Sequence, residues 1–366
     1  MLIVFKFKKM IWTIVILLAL VVSVFGYRYY LFLALTSGER ILASPNFVDS
    51  KFANNVPNKK YTIKDIVGMV FKSGQKDQKP SKPLPVEKLD KKTFQNPPME
   101  NLQFVWLGHS SVLLEFEEKR FLFDPVFAQK AGPLFLGPKR FHPVPLIVEN
   151  LLDLDAVFIS HDHYDHLDKN VILNLANKAL SFYVPLGVGK RLQKWGVDKS
   201  KILEFDWWDE MRIGDIKIAS TPARHYSGRN LLDKDFTFWC SWSLIGKAYR
   251  IFFSGDTGTF PSFAEIGERY GPFDLTFMKI GAYDEYWPDM QMTPEEAVAA
   301  QAEIHGKLFV PVHWGTFDLG YHSWYEPAER LVEAAVAVKI EIITPRIGEI
   351  VKLSDHQNSF WWRGVK

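Results

Sequence analysis

The chain has 366 residues, enough for one large domain or two ordinary ones with a sizeable buried core. Lys plus Arg number 44 against 42 Asp plus Glu, a formal net charge of +2, and no basic run is interleaved with aromatics, so no nucleic-acid partner is expected. The lone Cys240 excludes an intrachain disulfide framework and a cysteine-based zinc cage, and reads as a small buried residue.

Residues 10–27, MIWTIVILLALVVSVFGY, carry no charge and reach the lower limit for crossing a bilayer as a helix. A cleaved signal peptide is the rival reading. No small-x-small site follows the apolar core, however, and Tyr27, Arg28, Tyr29 and Tyr30 resemble an interfacial belt. An uncleaved anchor within residues 1–36 is therefore expected. Lys6, Lys8 and Lys9 precede the span and only Arg28 follows closely, which places the N-terminus in the cytoplasm and the bulk of the chain on the far side, periplasmic or extracellular.

Residues 37–100 are polar and broken by Pro57, Pro80, Pro83, Pro85, Pro97 and Pro98, the pattern of an irregular arm or linker. A single α+β domain is expected over 101–366. NLQFVWLG, SVLLEFE and KRFLFDP (101–125) read as opening strands with polar turns. DAVFIS (155–160) is an apolar strand, followed after a polar loop by helical spacing in NVILNLANK (170–178). KIAST (217–221), YRIFFS (249–254) and LFVPV (308–312) are further strands. TPEEAVAAQAEIH (293–305) opens with a capping box, Thr293 to Glu296, and has Pro294 at its first helical position; EPAERLVEAAVAV (326–338) has helical periodicity.

The loop between 158 and 168, FISHDHYDHLD, packs three histidines and three aspartates into eight positions. His and Asp are ordinary turn residues, but imidazole and carboxylate also suit zinc-like cations, and His161, His163, Asp165 and His166 can be aimed at one point. His225 in STPARHYSG, Asp256 in FFSGDTG and His313 in VPVHWGT each follow an apolar strand. Alone, each would more often be a satisfied buried polar residue. Together they would converge on one rim of a sheet sandwich and supply two adjacent metal sites.

HDHYDH with the later His225, Asp256 and His313 resembles the metallo-β-lactamase superfamily, which implies an αββα sandwich with metals at one edge of its two sheets. WLGHSSVLLE, FDPVF, GPKRFHP, FDWWDE, SGDTG, GPFDL, IGAY, TPEEA and HWGTF, in that order, resemble the N-acyl-phosphatidylethanolamine phospholipase D-like branch over roughly residues 101–320. The resemblance implies two zinc ions: His161, His163 and His225 on the first, Asp165, His166 and His313 on the second, and Asp256 bridging both. Asp165 and Asp256 would then be the catalytic carboxylates. Two cations about 3.5–4 Å apart can share a water and lower its pKa, which suits an ester, lactone or phosphodiester.

Other residues in these motifs have weaker expectations. His109 and Asp124 lie in motifs of the same branch and read as hydrogen-bonding support or, alternatively, as catalytic residues. Tyr226, Arg229, Tyr283 and Gln291 read as substrate contacts or, equally, as solvated loop side chains. Met292 stands where members of the branch often have histidine, so a proton-handling role there does not carry over. Trp207, Trp208, Trp239, Trp242, Trp314 and Trp324 read as packing, and SFWW (359–362) as a strap on the domain.

The functional expectation is a membrane-anchored dinuclear zinc hydrolase, a phosphodiesterase of phospholipase D type acting on a phospholipid or other amphiphilic ester. A lactonase of the same fold is the alternative among enzymes, and a metal-stabilised binding protein the alternative outside them. Oligomeric state and native substrate are left open.

Overall fold

A computed structural model of the chain describes residues 2–72, 74, 76–90, 97–133 and 136–366. The first element is a helix, α1 (Leu2–Thr36), longer than the uncharged run. Its last turns continue because they find partners: Leu31 and Leu35 pack on Phe236, and the Arg28 guanidinium donates to Leu232 O at 3.0 Å. Most of the preceding length is exposed and apolar, and Trp12–Thr36 is long and apolar enough to cross a membrane.

The following arm is less irregular than its prolines imply. It contains α2 (Glu39–Ala43), a small hairpin of β1 (Phe47–Val48) and β2 (Lys51–Phe52), and α3 (Ile63–Phe71). A local signal starts α3: Thr62 Oγ1 accepts from Asp65 N, and the Asp65 carboxylate accepts from Thr62 N at 2.8 Å. Prolines mark where the arm bends, yet the capping box between them suffices for a short helix.

Two seven-stranded sheets make up the rest. The first runs β16-β3-β4-β5-β6-β7-β8, with β3 (Leu102–Gly108), β4 (Ser111–Phe116), β5 (Lys119–Phe123), β6 (Leu154–Phe158), β7 (Ala179–Pro185), β8 (Ile202–Phe205) and the late β16 (Ile350–Lys352). The second runs β15-β14-β13-β12-β11-β10-β9, with β9 (Glu210–Ile213), β10 (Ile216–Thr221), β11 (Ser241–Ile245), β12 (Arg250–Phe253), β13 (Phe273–Lys279), β14 (Gly306–Val312) and β15 (Glu341–Ile342). In each sheet the early strands pair antiparallel, and the later ones, β5 to β8 and β12 to β15, pair parallel. Helices α4 (Lys169–Leu175) and α5 (Val188–Trp195) belong to the first half. The second half has α6 (Ser262–Tyr270), α7 (Pro294–Glu303) and α8 (Glu326–Val338). This is the expected αββα sandwich.

The inner strands of the first sheet are largely apolar because both of its faces are covered. Successive side chains alternate between faces, so Phe104, Trp106, Leu114, Phe123 and Phe158 join the core between the sheets. Val105, Leu107, Leu122 and Val157 face the other way and pack with Val171, Ile172 and Leu192 of α4 and α5. Phe158 sits against Phe123, Tyr183 and Trp242, fully buried. Truncating it to Ala would cost about 3–5 kcal/mol. The predicted helix over 170–178 is α4, which starts at the Asp168 N-cap and ends at Leu175, where Ala176 closes it. The predicted tail strap holds: Trp361 and Trp362 are buried against Trp314.

Candidate metal centre

β6 delivers the histidine loop at the edge where both sheets end. The loop is held from behind. Asp124 follows β5, and its Oδ1 accepts from Ser160 N at 2.7 Å while Oδ2 accepts from Ser160 Oγ at 2.5 Å and from His166 Nδ1 at 2.6 Å. At the far end the Asp168 carboxylate caps α4 and also accepts from Phe127 N. Asp162 points away from the cavity: it accepts from Gly228 N, Thr237 Oγ1 and Arg191 Nε, tying the loop to the segment after β10. Nearby Arg191, first among its cationic neighbours, keeps that buried carboxyl below its usual range against the penalty of burial.

Three later segments bring the remaining groups. His225 lies beyond β10, pinned by the arm: Asn54 Oδ1 accepts from His225 N, and Asn54 Nδ2 donates to His225 O. Asp256 follows β12 across Gly255, whose φ is +56° and where a Cβ would stand 2.6 Å from that of Ser160; glycine is needed there on both counts. His313 follows β14 directly and donates its backbone N–H to His109 O at 2.9 Å.

The side chains converge as two groups with Asp256 between them. In the first, His161 Nε2 lies 2.8 Å from His163 Nδ1, which is 3.3 Å from His225 Nε2. In the second, His166 Nε2 and His313 Nε2 lie 3.6 and 3.4 Å from Asp165 Oδ2. Asp256 reaches both: Oδ1 is 3.2 Å from His166 Nε2, and Oδ2 is 3.0 Å from His313 Nε2 and 3.7 Å from His225 Nε2.

The donor set fits divalent metal ions. Ser160 Oγ donates to Asp124, so it accepts from His161 Nδ1, leaving a lone pair on His161 Nε2. His166 and His225 likewise donate through Nδ1, to Asp124 and to Met290 O, and turn a lone pair inward. His166 Nε2, His313 Nε2 and Asp256 Oδ1 are buried without a hydrogen-bond partner, a costly arrangement unless a cation is shared. Burial lowers His225 to about 3 and carries His161 well below its usual value, keeping both imidazoles neutral as ligands must be. Burial works to raise the Asp256 and Asp165 carboxyls, but the histidines around them hold both well below the usual range.

Above these groups opens a cavity of ≈ 570 Å³, walled by Tyr61, Met69, Tyr164, Tyr226, Trp287, Met290 and Leu319, with Lys234 at its side and His163, Asp165, Asp256, Gln291 and His313 on its floor. Of the four expected substrate contacts, Tyr226 and Gln291 line this cavity, and Gln291 Nε2 donates to Asp256 Oδ2 at 2.8 Å. The other two are placed elsewhere. Arg229 braces the back of the histidine loop, donating to Asp162 O and Leu167 O, and lies over the Tyr164 ring. Tyr283 donates to Glu326 Oε1 and stacks on His322. Both sit on loops beside ligand-bearing strands, but their side chains find partners elsewhere in the domain.

His109 and Asp124 support the site as expected, His109 Nε2 lying 3.0 Å from Asp165 Oδ2. Asn54, Met69 and Tyr61 gave no signal, because the arm's contribution is tertiary. Lys279 was also overlooked. It ends β13 fully buried, its Nζ donating to Met292 O at 3.3 Å, and burial brings it down to about 7 despite the opposing charges of Asp256 and Glu296. A lysine closing an apolar strand, FDLTFMK, was the available cue.

Residues 119–314 match the β-lactamase superfamily domain family. The chain belongs to the metallo-β-lactamase superfamily. A member from Mycobacterium tuberculosis, an uncharacterised protein, is 39% identical over 330 residues, covering 87% of this chain and 88% of its own. The N-acyl-phosphatidylethanolamine-hydrolyzing phospholipase D 1 of Caenorhabditis elegans is 35% identical over 290 residues, covering 74% and 81%. Among solved structures, a metallo hydrolase of Ignicoccus hospitalis superposes with a TM-score of 0.53 at 21% identity, over 69% of this chain and 98% of that one, and so shares the fold. With phospholipase D-like relatives and these His/Asp clusters, the chain is placed in a superfamily of metal-dependent hydrolases.

Proposed function

We propose that this superfamily member is a membrane-anchored dinuclear zinc phosphodiesterase of phospholipase D type, acting on N-acyl-phosphatidylethanolamine-like lipids. The observation that carries the reading is the pairing of two inward-facing donor groups, shared through Asp256, with a largely apolar cavity opening directly above them. His161, His163 and His225 would hold one ion and Asp165, His166 and His313 the other. When bound, the ions supply a water of lowered pKa and neutralise charge on the phosphoryl oxygens. Asp256 fixes the spacing between the two halves, and Gln291 orients its Oδ2. Asp124 and Ser160 hold His161 and His166 in the tautomers that present lone pairs.

The cavity suits an anionic amphiphile. Lys234, beside the Tyr226 ring, offers a cation to a phosphodiester, and Met69, Trp287, Met290 and Leu319 offer apolar contacts to acyl chains. The phospholipase name of the nematode relative supports the same substrate class. In this reading α1 anchors the chain with its N-terminus cytoplasmic and the domain on the far side. The test is to measure the metal content of purified protein and turnover on phosphodiesters, lactones and β-lactams in parallel. Two zinc ions per chain with phosphodiester cleavage are expected. Efficient lactone opening with no phosphodiester cleavage would replace the substrate class.

A further inference from the structure

We infer that α3 is an interfacial element: its outer face lies in the bilayer surface beside the cavity mouth, so that a lipid headgroup reaches the metal centre without crossing water. The helix is only nine residues long, yet Ile63, Val67 and Phe71, at successive i, i+4 positions, are 82%, 48% and 80% exposed. One side of a short helix thus shows water an unbroken apolar stripe. Single exposed apolar residues are ordinary, but three in register on a helix that already has a second task are not.

That second task is on the opposite side. Met69 of α3 and Tyr61 just before it form part of the cavity wall over the metal donors. The helix therefore separates the cavity from whatever covers the stripe. Two observations identify a lipid surface as that cover. The stripe is flanked by Lys60 and Lys64, both exposed, and neither makes an ion pair among the described residues; an apolar stripe edged by free lysines suits the boundary between acyl chains and acidic headgroups. The other is continuity with α1. Its last turns rest on Phe236, two residues from the cavity-wall Lys234, and Leu231, 94% exposed, lies in the same loop beside the Arg28 contact. α3 thus lines the cavity directly, and the spanning helix is tied to it through the 231–236 loop that carries Lys234, so both helices are anchored to segments of one cavity wall. This inference rests on the reading of α1 as a membrane anchor.

The experiment uses the full-length chain in liposomes of phosphatidylcholine and phosphatidylglycerol. Cys240 is buried, so a single cysteine introduced at Val67→Cys or Phe71→Cys can be labelled with an environment-sensitive fluorophore. Spin-labelled phospholipids are then added as quenchers, one with a shallow nitroxide for positions 67, 71 and 336 and one with a deep nitroxide for position 22. Val22→Cys on α1 reports the anchor, and Val336→Cys on α8, also exposed, reports the surface of the far helical layer. Emission at positions 67 and 71 should fall by about half or more while that at 336 does not. If position 22 is quenched and 67 and 71 are not, the anchor stands and the inference about α3 fails. If none of the three is quenched, the anchor reading itself fails. Shielding at 67 and 71 that grows with protein concentration but not with the lipid quencher would assign the stripe to a second copy of the chain and overturn the proposal.

Discussion

Asp256 is the residue on which the centre turns, because its two oxygens face the His166 and His313 side and the His225 side at once. Asp256→Asn keeps the shape and removes the charge shared by both halves. Loss of one or both metals is expected, together with a fall in turnover on the order of a hundredfold or more, read by metal analysis and steady-state rates. Full metal occupancy with near-normal turnover would remove Asp256 from its bridging role. Lys279 presents a different balance. Its folded value, about 7, lies below its unfolded value near 10.5, so the folded state disfavours the proton. The penalty is absent above about pH 10.5, grows as pH falls, and is fully present below about pH 7. Lys279→Met should therefore raise the melting temperature of chelator-stripped protein by several degrees at pH 6 and by less at pH 9. Thermal scans at the two pH values check this, and an equal gain at both would mean that packing rather than charge limits the site.

Among the elements, α7 follows the strand-end segment that carries Gln291 and Met292. Its start is secured twice, since Thr293 Oγ1 accepts from Glu296 N while Glu296 Oε2 accepts from Thr293 N at 2.8 Å. Thr293→Ala removes one of these bonds and should cost about 1 kcal/mol, a drop of a few degrees in melting temperature. Turnover should change little, because Met292 N separately donates to Thr257 O and keeps Gln291 beside Asp256. A large loss of turnover with an unchanged melting temperature would make the cap part of the catalytic geometry rather than of helix stability. The arm shows the opposite dependence: Asn54 holds His225 through both backbone groups, so a segment that reads as a linker helps to build the site.

For the whole molecule the decisive relation is between α1 and the domain. Arg28, Leu31 and Leu35 pack on the loop through Phe236, so deleting residues 1–27 removes most of the apolar span and leaves that contact covered, whereas a cut after Thr36 would expose Phe236. On the proposed reading of α1 as an anchor and of lipid as the substrate, the shorter deletion should leave hydrolysis of short soluble phosphodiesters within about twofold while cleavage of vesicle lipid falls by about tenfold or more, since an anchor would raise the effective concentration of lipid at the cavity. Equal loss on both substrates would show that the span contributes to folding and not to substrate access.

The convergence of the histidine loop with His225, Asp256 and His313 was legible in the sequence, because imidazoles and carboxylates crowded into HDHYDH and others set just beyond apolar strands form one pattern when taken together. The sandwich was legible for a similar reason: continuous apolar runs such as VFIS and FVPV mark strands covered on both faces, and the box at Thr293 fixes the start of α7. Direction was not. Arg229 and Tyr283 stand beside ligand-bearing strands, yet a chain position does not say which way a long side chain turns, and each turned to an acceptor elsewhere in the domain instead of the cavity. Asn54, Tyr61 and Met69 lie about ninety to a hundred residues before the histidine loop and carry no motif, so only the folding of the arm across the domain brought them to the site. Composition and spacing report what a residue can do, whereas its partners are set by packing between segments remote in sequence.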